Sequence, residues 1–161
     1  MKNRLIASLF LAGTMLAQED HHKGVDTRGD HVMGFSHDKT THHFRLYEDG
    51  GAIEVTANDP KDAASRDQIR NHLSHIAGMF ADGNFKAPML IHDEVPPGVP
   101  TLECLKTEVS YRYQDIEAGG RVRIATKNKD ALSAAHEFLK FQITDHRTGD
   151  TSAITKIDAA K

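Results

Sequence analysis

Between His42 and Asp59 apolar and polar residues alternate. Phe44 and Leu46 fall on one face, Ile53 and Val55 join them, and the intervening EDGG (Glu48 to Gly51) supplies a turn, so the segment reads as a β-hairpin. From Pro60 to Ala81 the period changes: Ile69, Leu73, Ile76 and Phe80 recur at helical spacing. Asn58 or Asp59 is placed to cap this helix, Pro60 suits its first turn, and Gly83 with Asn84 ends it. A connector, FKAPMLIHDEVPPGVP, holds four of the five prolines and can carry no long helix; TLECLK adds at most a short helical turn.

The pattern then repeats. EVSYRYQDIEAGGRVRIAT reads as a second hairpin, with Val109, Tyr111 and Tyr113 on one face and Val122 and Ile124 opposite them. Lys127 to His146 reads as a second helix, carrying Leu132, His136, Leu139 and Ile143 at the same spacing as the first. The expected fold is therefore α+β: two ββα repeats forming a four-stranded antiparallel sheet with two helices on one face. The domain would span 42–150 with a proline-rich linker near 84–100. Before it, residues 18–41 are polar and punctuated by Gly24, Gly29 and Gly34, which predicts an extended or loop-like arm. The tail, 151–161, is polar and expected to fray. The second helix has a further apolar side at Ala131, Ala134, Phe138 and Phe141, which one sheet cannot cover. The linker, the arm or a second subunit must lie on it, and a homodimer through Phe138 and Phe141 is carried forward.

The N-terminus changes the picture. Lys2 and Arg4 precede an apolar run from Leu5 to Ala17, then a polar break. This is the layout of a secretory signal peptide over 1–17, too short to span a bilayer comfortably. The expectation is an exported protein, periplasmic or secreted, with no membrane insertion once the signal is cleaved. Removing that segment leaves about 144 residues, enough for one domain with a core. A net charge of −3 gives no reason to expect nucleic acid as a partner. The single cysteine, Cys104, cannot form an internal disulfide and reads as a small buried hydrophobe.

Histidine is the anomaly, with 11 in 161 residues, and none in the signal segment. On the first helix His72, His75 and Met79 form a stripe beside the core face, where two imidazoles and a thioether can converge on one soft or borderline ion. The competing reading leaves His72 at the core edge, His75 solvated and Met79 simply packed. His136 takes the position that Leu73 holds in the first repeat, so it is either a hydrogen-bonded core histidine or a ligand. His42 shares a face with Phe44, whereas His43 points the other way with Arg45. Met33 and His37 lie just ahead, and His21 and His22 read as a solvated tail. No H-E-x-x-H, paired C-x-x-C, C-x-x-C-H or G-x-S-x-G occurs, so neither a zincin nor covalent haem nor a serine-hydrolase elbow is supported. Nothing names a substrate.

The stretches MGFSHDKTTHHF, NDPKDAASRDQIRNHLSHIAGMF, PPGVP and AAHEFLKFQITDHRTGD, within Asp30 to Asp150, resemble a family of small exported bacterial proteins of unassigned function. The resemblance implies an exported single domain and supplies no activity or ligand. From the residues, the leading expectation is metal binding, copper before zinc or nickel, at His42, His72, His75 and His136, with His37, His43 and Met33 behind them. The alternatives are noncovalent haem with Phe138 and Phe141 as a wall, and a dimeric scaffold module whose histidines are structural only.

Overall fold

In the computed structural model residues 7–156 are described, the side chains from Gln18 onward. Both hairpins form where the alternation placed them: β1 Thr40–Tyr47 with β2 Gly50–Ala57, and β3 Val109–Ile116 with β4 Gly119–Thr126. The helices are α1 Ala7–Met33, α2 Ala63–Ala81, α3 Lys86–His92, α4 Val99–Cys104 and α5 Lys129–Asp145. The fold is α+β, but the sheet has five strands rather than four. Its order is β3-β4-β2-β1-β5; the first four are antiparallel, and β5 (Ile154–Thr155) adds to β1 in parallel. Within the tail expected to fray, Ile154–Thr155 are held at the sheet edge, where the Thr155 hydroxyl donates to the carbonyl of Leu46; residues 157–161 lie outside the described residues. The β1–β5 pairing covers the β1 edge at Leu46 and Tyr47.

The repeat is a local pseudo-twofold. Every strand residue of the first hairpin matches the one 69 positions later, Thr40 with Val109 and Gly50 with Gly119. The central pair Ile53–Val122 lies on the axis, because each is the other's counterpart and partner. The helices match at a spacing of 66, set by their caps. Asp62 accepts from the Ser65 amide, and Asn128 accepts from the Asp130 and Ala131 amides. The cap at Asp62 is why α2 begins after Pro60 and not at it. Each helix crosses to the opposite hairpin: α2 lies chiefly on β3 and β4, α5 on β1 and β2. Leu73 sits over Gly120 and Leu139 over Gly51, where a Cβ would meet the leucine Cδ1 at 3.2 and 2.3 Å.

Cap alignment makes Leu139, not His136, the counterpart of Leu73. The buried stripe of α5 is Ala131, Ala135, Leu139 and Gln142, with Ala134 and Phe138 beside it; Leu132 and Ile143, expected inside, are only half-buried. Phe138 is 1% exposed, packed against Phe80 and Phe85. Phe138, one of the two residues that suggested a dimer, is therefore covered by the chain's own linker, and Phe141 is half-buried. Gly98 brings α4 against α5: its φ is +82°, and a Cβ there would stand 2.1 Å from the carbonyl oxygen of Ala134.

The loop-like arm expected over 18–41 is corrected. Gln18 to Met33 continue α1, which ends at Gly34 (φ +78°) before a short turn leads into β1. This polar helix has a weak amphipathic pattern. It is held by Val25, which is 1% exposed, and by a bond from Arg28 Nε to the Ile91 carbonyl of α3 (2.8 Å). Cys104 is exposed rather than buried. Among the described residues no helix is long and apolar enough to cross a membrane; the signal-peptide side chains lie outside the described residues.

Candidate functional site

Alternation along β1 turns His42 inward with Phe44, and the α2 stripe turns His72 toward the same space. They meet across a cavity of about 60 Å³ between the sheet, α2, α5 and α3. Met33 at the end of α1, His92 of α3, Gln142 of α5 and His146, the cap residue just beyond α5, complete the lining that could bond to a ligand; the remaining walls are apolar, among them Phe44, Val55, Ile76 and Phe80. His42 and His146 are stacked, with ring centroids 5.4 Å apart and planes 8° from parallel. Phe35 packs on both His42 and His72. Among the described residues no hydrogen bond reaches a ring nitrogen of His42, His72 or His146.

Burial, then the neighbouring His72 and His43, lowers the pKa of His42 to about 4; burial and His75 lower His72 to about 4. His146 is pushed well below its ordinary value by burial and by His42 and His92. Neutral imidazoles with an available lone pair, beside a thioether, make a soft donor set.

The other half of the molecule shows what packing alone requires here. The counterparts of His42 and His146 are Tyr111 and Phe80, which pack at 5.6 Å. A pair of aromatic rings without imidazole therefore fills this position in the other half. The imidazoles cost desolvation, and the Tyr–Phe pair shows that the packing does not need them.

Behind His146 lies a second polar layer. His92 is fully buried; its Nδ1 is 2.5 Å from Asp145 Oδ2 and its Nε2 3.0 Å from Gln142 Oε1. The Asp145 carboxylate accepts from the Nδ1–H of His92, and the Gln142 amide meets the other ring nitrogen. His21 of α1 reaches the other oxygen of Asp145 at 2.8 Å. Burial works to raise the pKa of Asp145, yet the hydrogen bonds from His92 and His21 outweigh it, and the net shift is downward. His21 is thus docked rather than a solvated tail residue, and His22 beside it is half-buried.

The expected ligands separate. His42, His72 and Met33 line the cavity. His75 is exposed on a shallow groove outside it. His136 faces another part of the fold: its Nε2–H donates to the carbonyls of Tyr47 (2.9 Å) and Gly50 (3.0 Å) at the β1–β2 turn. Its counterpart Arg70 does the same for Ile116 (2.9 Å) and Gly119 (3.0 Å) at the other turn. His136 is a clamp on a hairpin. His43 points outward to Asp150 (2.9 Å), and His37 binds Asp30 (2.9 Å) at the rim of an open groove that also touches Met33, His42 and His146. Among the described residues no three His, Cys, Asp or Glu side chains are placed to hold one ion. His92, Gln142 and His146 were missed by sequence reasoning. Alignment of the two helices by their caps would have flagged His146, since it sets an imidazole against Phe80.

The chain matches no protein-family model, no curated protein and no solved structure among those compared.

Proposed function

We propose that the protein is an exported carrier of one copper ion, held as Cu(I) by His42, His146 and the thioether of Met33, with His72 on the facing wall. The observation that carries this reading is the exchange of a Tyr–Phe pair for two neutral, unpartnered imidazoles at a cavity. Cuprous ion fits better than zinc or nickel, because it accepts two or three soft ligands and a thioether, whereas structural zinc takes four. Haem fits less well. Its proposed wall, Phe138, is taken up in the core. The scaffold-module reading loses its motive in the same way, since the linker already covers Phe138.

Equilibrium dialysis of tag-free protein against copper under reducing conditions, and against zinc and nickel, tests the proposal. About one equivalent of copper is expected, lost in His42→Phe and in His146→Phe and kept in His136→Ala. Less than one tight equivalent of copper in the wild type, or full retention by both phenylalanine variants, would sink it.

A further inference from the structure

The two edges of the sheet are equivalent by the pseudo-twofold, yet only one of them is covered. On β1 the residues 150–155 form a strap. The Asp150 carboxylate, whose side chain is 6% exposed, accepts from the Phe44 amide (3.0 Å) and from Arg45 Nη1 (3.1 Å). Leu46 and Tyr47 then pair with Ile154 and Thr155, and the Glu48 amide donates to the Thr155 carbonyl (3.1 Å). At the spacing of 69 the same places on the other half are Tyr113 for Phe44, Asp115 for Leu46 and Glu117 for Glu48. The register of β3 on β4 repeats that of β1 on β2, so these amides face outward in the same way. β3 ends the sheet order, and among the described residues no strand pairs with its outer edge.

The side chains of the open edge call for an acid. Arg112 stands where β1 has His43; it is exposed and has no acidic partner among the described residues. It lies directly across from Arg123, and like charges placed opposite each other destabilise a sheet. Arg123 is paired with Asp49, so the uncompensated charge is that of Arg112. We infer that the edge of β3 binds an extended segment of another protein, laid parallel to β3, with an acidic side chain in the place that Asp150 has on β1. That carboxylate accepts from the Tyr113 amide and pairs with Arg112, and the residues four and five positions later pair with Asp115 and Ile116. Main-chain hydrogen bonds supply the binding and the carboxylate sets the register. A second copy suits this edge less well. Antiparallel pairing centred on Arg112 would set two of these arginines against each other. The strap of a second copy would have to leave its own β1, where the tether holds it at an effective concentration of about 1 mM or more. The inference is independent of the copper reading.

The probe is a capped synthetic peptide with the sequence of residues 150–155, titrated into the isotopically labelled full chain and followed by amide NMR. In the free protein the Tyr113 and Glu117 amides should exchange with solvent faster than those of Phe44 and Glu48. The peptide should shift Tyr113, Asp115 and Glu117 and slow their exchange, with a Kd of about 1 mM. Binding should weaken about fivefold in Arg112→Glu, an exposed position, and about as much for a peptide carrying Asp150→Asn, which leaves the protein untouched. No shift of the β3 amides at about 5 mM peptide would overturn the inference. So would equal affinity for the two peptides, or a free monomer in which Tyr113 and Glu117 are already as protected as Phe44 and Glu48. Shifts confined to Phe44, Leu46 and Glu48 would mean that the peptide only displaces the chain's own strap. A dimer in light scattering, protected along β3, would make a second copy the occupant. Either result overturns the inference as well.

Discussion

His42 and His146 show how a single side chain can be judged against a counterpart in the same chain. Tyr111 and Phe80 fill the equivalent space in the other half, so aromatic rings other than imidazole fit there. Replacing both histidines by phenylalanine should leave the apo fold within about 1 kcal/mol of wild type at pH 7, since volume is nearly conserved. The same double variant should bind no copper. Thermal unfolding and dialysis on one preparation check both halves of this expectation. His136 predicts the opposite pattern. His136→Ala leaves the Tyr47 and Gly50 carbonyls without their donor and opens a gap, so it should cost about 1–3 kcal/mol in urea unfolding while copper stoichiometry stays at one. Arg70→Ala should cost a similar amount at the other turn. A His136→Ala protein that lost copper while keeping its stability would contradict the clamp role.

At the level of elements, the linker and α1 close the molecule over α5. Gly98 allows α4 to reach the α5 backbone, and its positive φ adds a second constraint. Gly98→Ala therefore combines backbone strain with a clash against backbone, and a loss of about 2–4 kcal/mol is expected by chemical denaturation. A loss below about 0.5 kcal/mol would mean that α4 does not sit this close. α1 is docked by polar contacts: His21 to Asp145, Arg28 to the Ile91 carbonyl, and Arg147 to Asp26 (3.0 Å). Since Asp145 also serves His92, His21→Ala should be felt inside, with a cost of about 0.5–1.5 kcal/mol. Hydrogen exchange should then show faster opening over residues 18–33 than in the wild type.

For the whole molecule the buried imidazoles set the response to acid. His42 and His72 have folded pKa values near 4, below the ordinary 6.5, so between those limits the unfolded chain takes up protons that the native chain refuses. Stability is therefore intact above about pH 6.5, declines as pH falls toward 4, and each residue contributes at most about 1.4 kcal/mol per unit across that window. His146 adds in the same direction. His37 works against them: its pKa is raised, first by the Asp30 hydrogen bond, so its contribution is present at low pH and lost as pH rises. With its side chain 40% exposed, that effect is small. Urea midpoints measured from pH 7 to 4 should fall in the wild type and fall less in the His42→Phe, His146→Phe double variant. Parallel curves would show that other groups control the decline.

Local pattern was enough for much of this. Period-2 alternation with Gly-Gly turns placed both hairpins, and the spacing of Ile69, Leu73, Ile76 and Phe80 placed the buried face of α2, because these signals depend only on neighbours within a strand or a few helical turns. That His42 shares a face with Phe44 followed from the same alternation. Tertiary structure decided the rest. Whether a polar stretch such as 18–33 is helical depends on docking to α3, and a two-residue strand such as Ile154–Thr155 exists only because β1 offers it an edge. The crossing of each helix to the opposite hairpin set Leu139 over Gly51 and turned His136 to a hairpin turn, which spacing within one helix could not reveal. His92, Asp145 and His21 come from three helices far apart in the chain, and their convergence is a property of packing, where a buried charge survives only beside the partner that the fold brings to it.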